Sequence, residues 1–324
     1  MSLIPQIYEK TGAGDAIDRR TALEMESIKG DAVFELLPAA DRLRKARSQN
    51  RVNLCSIINA KSGQCSEDCG FCAQSARYET NAPVFALLSP SRIRRAAKDS
   101  AKNRARRFSV VTSGKGVSGE SEIASISESI AAVKAEGLLP CASPGIVDDR
   151  VLERWQEAGL QRYHHNLETS RSFFGQVCTT HDYEEDVQAV RRAGALGLEV
   201  CSGGIFGMGE SWQQRVELAF DLKDLEVDAV PLNFYHPIAG TPLAKTAPGV
   251  TPLDALKTIA LFRLCLPETE LIVCGGRGPN LRDLQSYMFL AGADGLMIGN
   301  YLTTAGRPAR EDLKMLDDLA LEPT

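Results

Sequence analysis

The chain has 324 residues, 37 Lys+Arg against 42 Asp+Glu for a formal net charge of −5, and 44% hydrophobic and 24% charged residues. That composition excludes a disordered or collagen-like chain, and a mildly acidic balance without a basic cluster makes nucleic acid a poor electrostatic partner. No stretch nears the ~18 uninterrupted apolar residues of a membrane helix, and the opening Met-Ser-Leu-Ile-Pro-Gln lacks the basic and apolar regions of a secretory signal, so no membrane partner and a cytoplasmic location are expected.

Residues 1–46 read as an amphipathic helical extension with an exposed basic face after Ala39. From residue 51, short β-type runs begin near Arg51, Phe108, Leu138, Arg162, Leu198, Ala229, Leu271 and Gly295. Between them lie helical patterns at Ser89–Ala105, Ile123–Ala135, Tyr183–Ala193, Trp212–Leu225, Pro252–Leu264 and Leu281–Ala291. Eight strands alternating with helices over roughly 250 residues predict an α/β fold, a (β/α)8 TIM-type barrel over 47–305. The tail, 306–324, is expected to pack on the barrel. A doubly wound sheet would show a Gly-rich phosphate turn after its first strand. None follows Ile58, and Thr112-Ser-Gly-Lys-Gly lacks the spacing of a P-loop.

Nine cysteines without a secretory signal predict metal or catalytic use rather than disulfides. Cys65-Ser-Glu-Asp-Cys69-Gly-Phe-Cys72 packs three into one short loop directly after the first strand. That spacing suits three corners of a cubane iron–sulfur cluster and leaves the fourth iron open. Zinc sites usually take four ligands in paired elements, and no second pair follows nearby. Cys55, Cys141, Cys201 and Cys274 fall on candidate strands. Every second strand residue faces a barrel interior, so these four together can hold a second cluster, although a single strand cysteine is more commonly a small core residue. Cys178 and Cys265 read as packing or surface cysteines.

The loop, with aromatic Phe71 before its last cysteine, resembles the radical S-adenosylmethionine (SAM) superfamily. This resemblance implies a [4Fe–4S] cluster whose open iron chelates SAM, and reductive cleavage of SAM to a 5′-deoxyadenosyl radical. Segments 59–78, 163–170, 200–210, 240–243 and 299–304 resemble, in unbroken order, the biotin synthase family. The implied reaction is sulfur insertion between C6 and C9 of dethiobiotin, with sulfide drawn from an auxiliary cluster. A flavodoxin or ferredoxin as reducing partner and a homodimer are also implied. Carried over by position, Cys65, Cys69 and Cys72 bind the [4Fe–4S] cluster. Asn166 and Glu168 contact SAM, Glu168 at the ribose; Gly203, Gly204 and Ile205 approach the adenosine, and Asn233 contacts substrate and SAM.

Three positions depart from the family's pattern. Its auxiliary cluster, usually [2Fe–2S], takes three cysteines and an arginine; Cys141, Cys201 and Arg277 match, but Ser109 stands at the remaining cysteine position. The expectation is therefore a variant cluster of four-iron type held by Cys55, Cys141, Cys201 and Cys274, with Arg277 nearby. Asp186, in Tyr183-Glu-Glu-Asp186, stands where an arginine commonly meets the SAM carboxylate, leaving Arg191 or Arg192 as candidates, and His164 replaces a more usual asparagine. Two other functions fit parts of the pattern. One is a related radical SAM barrel that rearranges another small substrate or matures a cofactor. The other is a non-catalytic iron–sulfur carrier, which need not cleave SAM; Asn166, Glu168 and the Gly203–Ile205 segment favour an enzyme.

Overall fold

A computed structural model describes residues 3–324. Its strands are β1 (Arg51–Lys61), β2 (Arg107–Thr112), β3 (Leu139–Ser143), β4 (Arg162–His164), β5 (Glu199–Cys201), β6 (Gly204–Phe206), β7 (Ala229–Phe234), β8 (Glu270–Val273), β9 (Gly295–Met297) and β10 (Glu322–Pro323). The pairs from β1 to β9 are parallel in chain order, and β9 returns to β1 from Asn53↔Gly295 to Cys55↔Met297, which closes the sheet. β5 and β6 form one stave interrupted at Ser202-Gly203, both pairing with β7. The fold is the eight-staved (β/α)8 barrel that the alternation of elements predicts.

Most helices also form where the apolar periodicity places them, at Pro90–Lys102, Glu120–Ala135, Tyr183–Ala195, Trp212–Asp224 and Pro252–Cys265. Local chemistry starts them: Ser211 and Gln214 make a capping box before Trp212, and Thr251 accepts the Asp254 N–H ahead of Pro252. The stretch 281–291 differs, breaking into Arg277–Leu281, Arg282–Leu284 and Tyr287–Leu290. Arg282 takes a φ of 49°, a left-handed conformation that a continuing helix cannot accommodate. A helix outside the predicted set, Asp149–Glu157, is capped by Asp148 and buries Val151, Leu152 and Trp155.

The N-terminal helices Leu3–Gly12, Arg19–Glu24 and Leu37–Ser48 cover one flank of the barrel. Ile17 N–H donates to the Leu264 carbonyl, and Trp212 Nε1 to that of Ala22, both at 2.9 Å. This cover explains why residues 255–265 of the intervening helix are buried all round. At the other end, the helix Ala309–Asp318 leads into β10, which lies parallel beside the first residues of β1.

Gly203 permits the close approach at the interrupted stave. A Cβ there would lie 2.2 Å from the Pro231 carbonyl oxygen. Gly203→Ala is expected to destabilise the apoprotein by roughly 1–3 kcal/mol, because backbone must move to admit the methyl. Denaturant unfolding checks this, and an unchanged midpoint would show that β5 and β7 separate without cost.

Candidate active site

The strand ends converge on one cavity of about 430 Å³, lined by Cys65, Cys69 and Cys72 together with Cys55, Cys141, Cys201 and Cys274. The cluster loop leaves β1 and is held at several points. Cys65 N–H donates to the Gln74 carbonyl at 3.1 Å, and Ala76 N–H to that of Cys65 at 2.8 Å. Gly70 N–H donates to the Val177 carbonyl at 2.8 Å, while Asp68 accepts from Thr179 N–H at 2.8 Å. These bonds fix the backbone so that three half-buried thiols share the cavity wall. Burial pushes the Cys72 thiol up to about 11.

Cys178 is buried against this loop rather than lying at the surface. Its hydrogen bond with Cys69 raises the Cys69 thiol and lowers its own. Its sulfur also lies 3.3 Å from His181 Nδ1, which is 2.7 Å from Glu67. His181 and His165 both flank Asp186, at 3.4 and 2.7 Å. Isolated positions gave no sign of this network; the polar run Cys178-Thr-Thr-His181 was its only trace.

Asn166, Glu168, Ile205 and Asn233 line the cavity beside the cluster loop. Gly203 and Gly204 are not among the lining residues. A Cβ on Gly204 would lie 2.7 Å from the Glu168 carbonyl, so this glycine admits neighbouring backbone. Glu168 itself adopts φ 60°, and its carbonyl accepts the Ile205 N–H at 2.7 Å. A non-glycine residue held in that region marks a constrained site. The buried Asn166 Oδ1 has no hydrogen-bond donor. An orphaned acceptor of this kind fits a ligand that brings its own hydroxyl or ammonium donors.

Burial, then the nearby Asp186 charge, pushes Glu168 up to about 8, against 4.5 for an ordinary glutamate. Between those values the folded chain holds a proton that the unfolded chain has lost, so this group makes stability fall as pH rises through the window. Glu168→Gln is expected to unfold at a higher midpoint than the parent near pH 8, the gap shrinking as pH falls toward 4.5. Parallel midpoint curves across that range would remove the Glu168 charge from the stability balance.

Deeper in the barrel, Cys201, Cys274 and Cys55 gather with Ala229, Ile272 and Met297, and Cys141 faces the same chamber. Burial raises all four thiols, Cys201 to about 12. They would lose protons on binding a metal, whose positive charge offsets the hydration that burial removes. His164 Nδ1 lies 3.3 Å from the Cys201 sulfur, and burial lowers this imidazole to about 4, keeping it neutral. Ser109 sits in register with Cys141 on the adjoining strand, and its buried hydroxyl has no partner. Below the thiols, Arg162 binds Glu199 and Glu270 at 2.7 and 2.8 Å, and Arg107 binds Glu199 at 2.7 Å.

Arg277 lies near enough to Cys274 for its charge to act on that thiol, and it also bonds Tyr301 on the cavity wall. Its guanidinium binds Asp312 at 2.8 Å and Gln285 at 2.7 Å, and it is not among the residues lining the cavity. Gly276, at φ 70°, starts a helical turn there, and the fully buried Asp312 carboxylate captures the charge. Arg191 points outward to Glu184 at 3.5 Å, and neither Arg191 nor Arg192 lines the cavity.

A parallel barrel with a three-cysteine loop beyond its first strand is the architecture of a radical SAM enzyme, and the profile of the Radical SAM superfamily matches residues 61–222. The Biotin and Thiamin Synthesis associated domain matches residues 231–322. Biotin synthase of Geotalea daltonii is 50% identical over 98% of this chain and 97% of its own length. That of Geobacter sulfurreducens is 52% identical over 95% and 94%. The chain belongs to the biotin synthase family. Solved structures add the fold alone: methylornithine synthase (PylB) superposes with a TM-score of 0.85 at 21% identity, over 100% of this chain and 97% of its own. The family implies a [4Fe–4S] cluster and SAM. Among the described residues, no helix is long and apolar enough to cross a membrane.

Proposed function

We propose that this chain converts dethiobiotin to biotin with Cys65, Cys69 and Cys72 holding the [4Fe–4S] cluster and Cys55, Cys141, Cys201 and Cys274 holding an auxiliary cluster of four-iron type. The observation that carries the reading is that both thiol sets open on one cavity, one at its rim and one in the barrel interior. When bound, the clusters and SAM supply reductive C–S cleavage, hydrogen abstraction by 5′-deoxyadenosyl and the sulfur that enters the product. The protein supplies position and exclusion of water. Glu168 and Asn166 offer acceptors to the ribose hydroxyls, and Asn233 offers an amide to SAM and substrate. Its Oδ1 accepts the Gly275 N–H at 2.9 Å and its Nδ2 donates to the Gly204 carbonyl at 3.3 Å, so the amide is held in one orientation. Ile205 gives the adenine an apolar wall, and Arg277, held by Asp312 and Gln285 with its buried Nε unpartnered, stands beside the auxiliary site.

The barrel, 47–305, does this work, with the extension 1–46 and the tail 306–324 as its cover. The free state of all nine cysteines supports a reducing, cytoplasmic setting. Family membership supports a flavodoxin or ferredoxin as electron donor and a homodimer. The test is anaerobic reconstitution with iron and sulfide, followed by SAM, reductant and dethiobiotin, with products read by mass spectrometry. Biotin together with 5′-deoxyadenosine is the expected result. Deoxyadenosine without biotin, from protein with both clusters verified, would make dethiobiotin the wrong substrate.

A further inference from the structure

The SAM that this site is read to bind carries an α-carboxylate, and an anion drawn into a cavity needs a cation or charge-assisted donors beside it. Apart from the neutral His164 and the exposed imidazole of His236, the cationic side chains lining the cavity differ in what already holds them. Arg107 and Arg162 form its floor and are taken by Glu199 and Glu270 at 2.7–2.8 Å. His165 and His181 each stand 2.7 Å from a carboxylate, Asp186 and Glu67, whose side chains are only 3% and 9% exposed. Withdrawing either histidine would strand a buried charge, which is costly. Asp186 itself repels an anion.

Lys115 is held differently. It lines the cavity on the turn after β2, and its ion pair is with Glu185 at 2.8 Å, the two side chains 39% and 43% exposed. A pair this exposed contributes little and leaves little behind when it opens. The turn beneath it is rigid. Ile146 N–H donates to the Lys115 carbonyl at 2.7 Å, and a Cβ on Gly145 would lie 2.3 Å from that same oxygen. A fixed Cα with a four-carbon stem and a weakly committed ammonium can change partner without moving backbone. It also lies close enough to Glu67 and Asp186 to feel both charges, in the sector between the cluster loop and the helix from Tyr183.

We propose that Lys115 is the cation that receives the SAM carboxylate in this chain, leaving Glu185 when the cofactor enters. The assignment rests on the radical SAM reading above and adds a residue that the motif positions do not include. It is tested on the anaerobically reconstituted full chain by equilibrium dialysis with SAM and with decarboxylated SAM, using the parent, Lys115→Met and Lys115→Arg. Lys115→Met should weaken SAM by about tenfold or more while leaving the decarboxylated ligand within about twofold. Lys115→Arg should hold SAM within about threefold of the parent, since charge and reach are kept. Equal loss of both ligands in Lys115→Met, or loss of neither, overturns the proposal. A parent enzyme that binds SAM yet forms no biotin sinks the sulfur-insertion reading and leaves Lys115 standing, whereas a cluster-loaded parent that binds no SAM overturns both.

Discussion

Cys69→Ala abolishes reductive cleavage of SAM, with 5′-deoxyadenosine falling to the reagent background. Cys65, Cys69 and Cys72 share one wall of the cavity, on a loop whose backbone is bonded to residues 177–180 and to Gln74. Because neighbouring segments hold the loop, losing one thiol removes a ligand without releasing the fold. Two thiolates cannot secure a cubane with an open iron. Cys178 lies against Cys69, but Asp68, Thr180 and His181 surround its sulfur, within 3.4 Å, and it is not among the residues lining the cavity. The measurement is deoxyadenosine formation by the purified, reconstituted variant, beside a thermal unfolding curve of its apoprotein. Undiminished deoxyadenosine would refute the ligand role, and an unfolded variant would be replaced by Cys69→Ser, for which the same loss is expected.

Cys141→Ala and Cys201→Ala have the opposite profile: SAM is still cleaved, and biotin is not formed. Both thiols lie in the barrel interior, on β3 and β5, away from the loop after β1. Burial keeps them protonated without metal, with the Arg162 and Arg107 charges opposing the rise at Cys141. A metal cluster would turn them into thiolates above a cationic floor. Losing one removes a ligand from the auxiliary site and leaves the SAM wall intact. Each truncation also deletes only a sulfur from a core, a loss that costs about 1 kcal/mol, so the fold survives. Product analysis separates the two steps, and biotin formation by either variant would remove that residue from the essential auxiliary site. Ser109→Ala is the matched control. Its hydroxyl makes no hydrogen bond, so loss of the auxiliary spectrum in that variant would make serine a ligand after all.

Periodicity alone carried the architecture. All eight predicted strand starts lie within a few residues of barrel strands, because alternation of short apolar runs with amphipathic helices has few other closed solutions. The spacing Cys65-x3-Cys69-x2-Cys72 likewise announced the cluster loop, since three thiols so close in sequence must be close in space. Four strand cysteines could be grouped from topology because parallel register repeats depth around a barrel. Direction at a chain break was not legible. Gly276 turns Arg277 toward Asp312, a residue 35 positions away that no local pattern connects to it. Nor was it legible that Gly203 and Gly204 admit the Pro231 and Glu168 carbonyls.

Sequence by itself thus determined the barrel, the family and the three-cysteine loop, which depend on local spacing and on the order of elements. Tertiary structure alone decided which charges are free. Asp186 became the shared partner of two histidines, Cys178 became a neighbour of the cluster loop, and Lys115 was left with an exposed, exchangeable partner. Partner choice depends on distances between segments far apart in the chain and on how deeply each pair is buried, and neither quantity is written in the residues themselves.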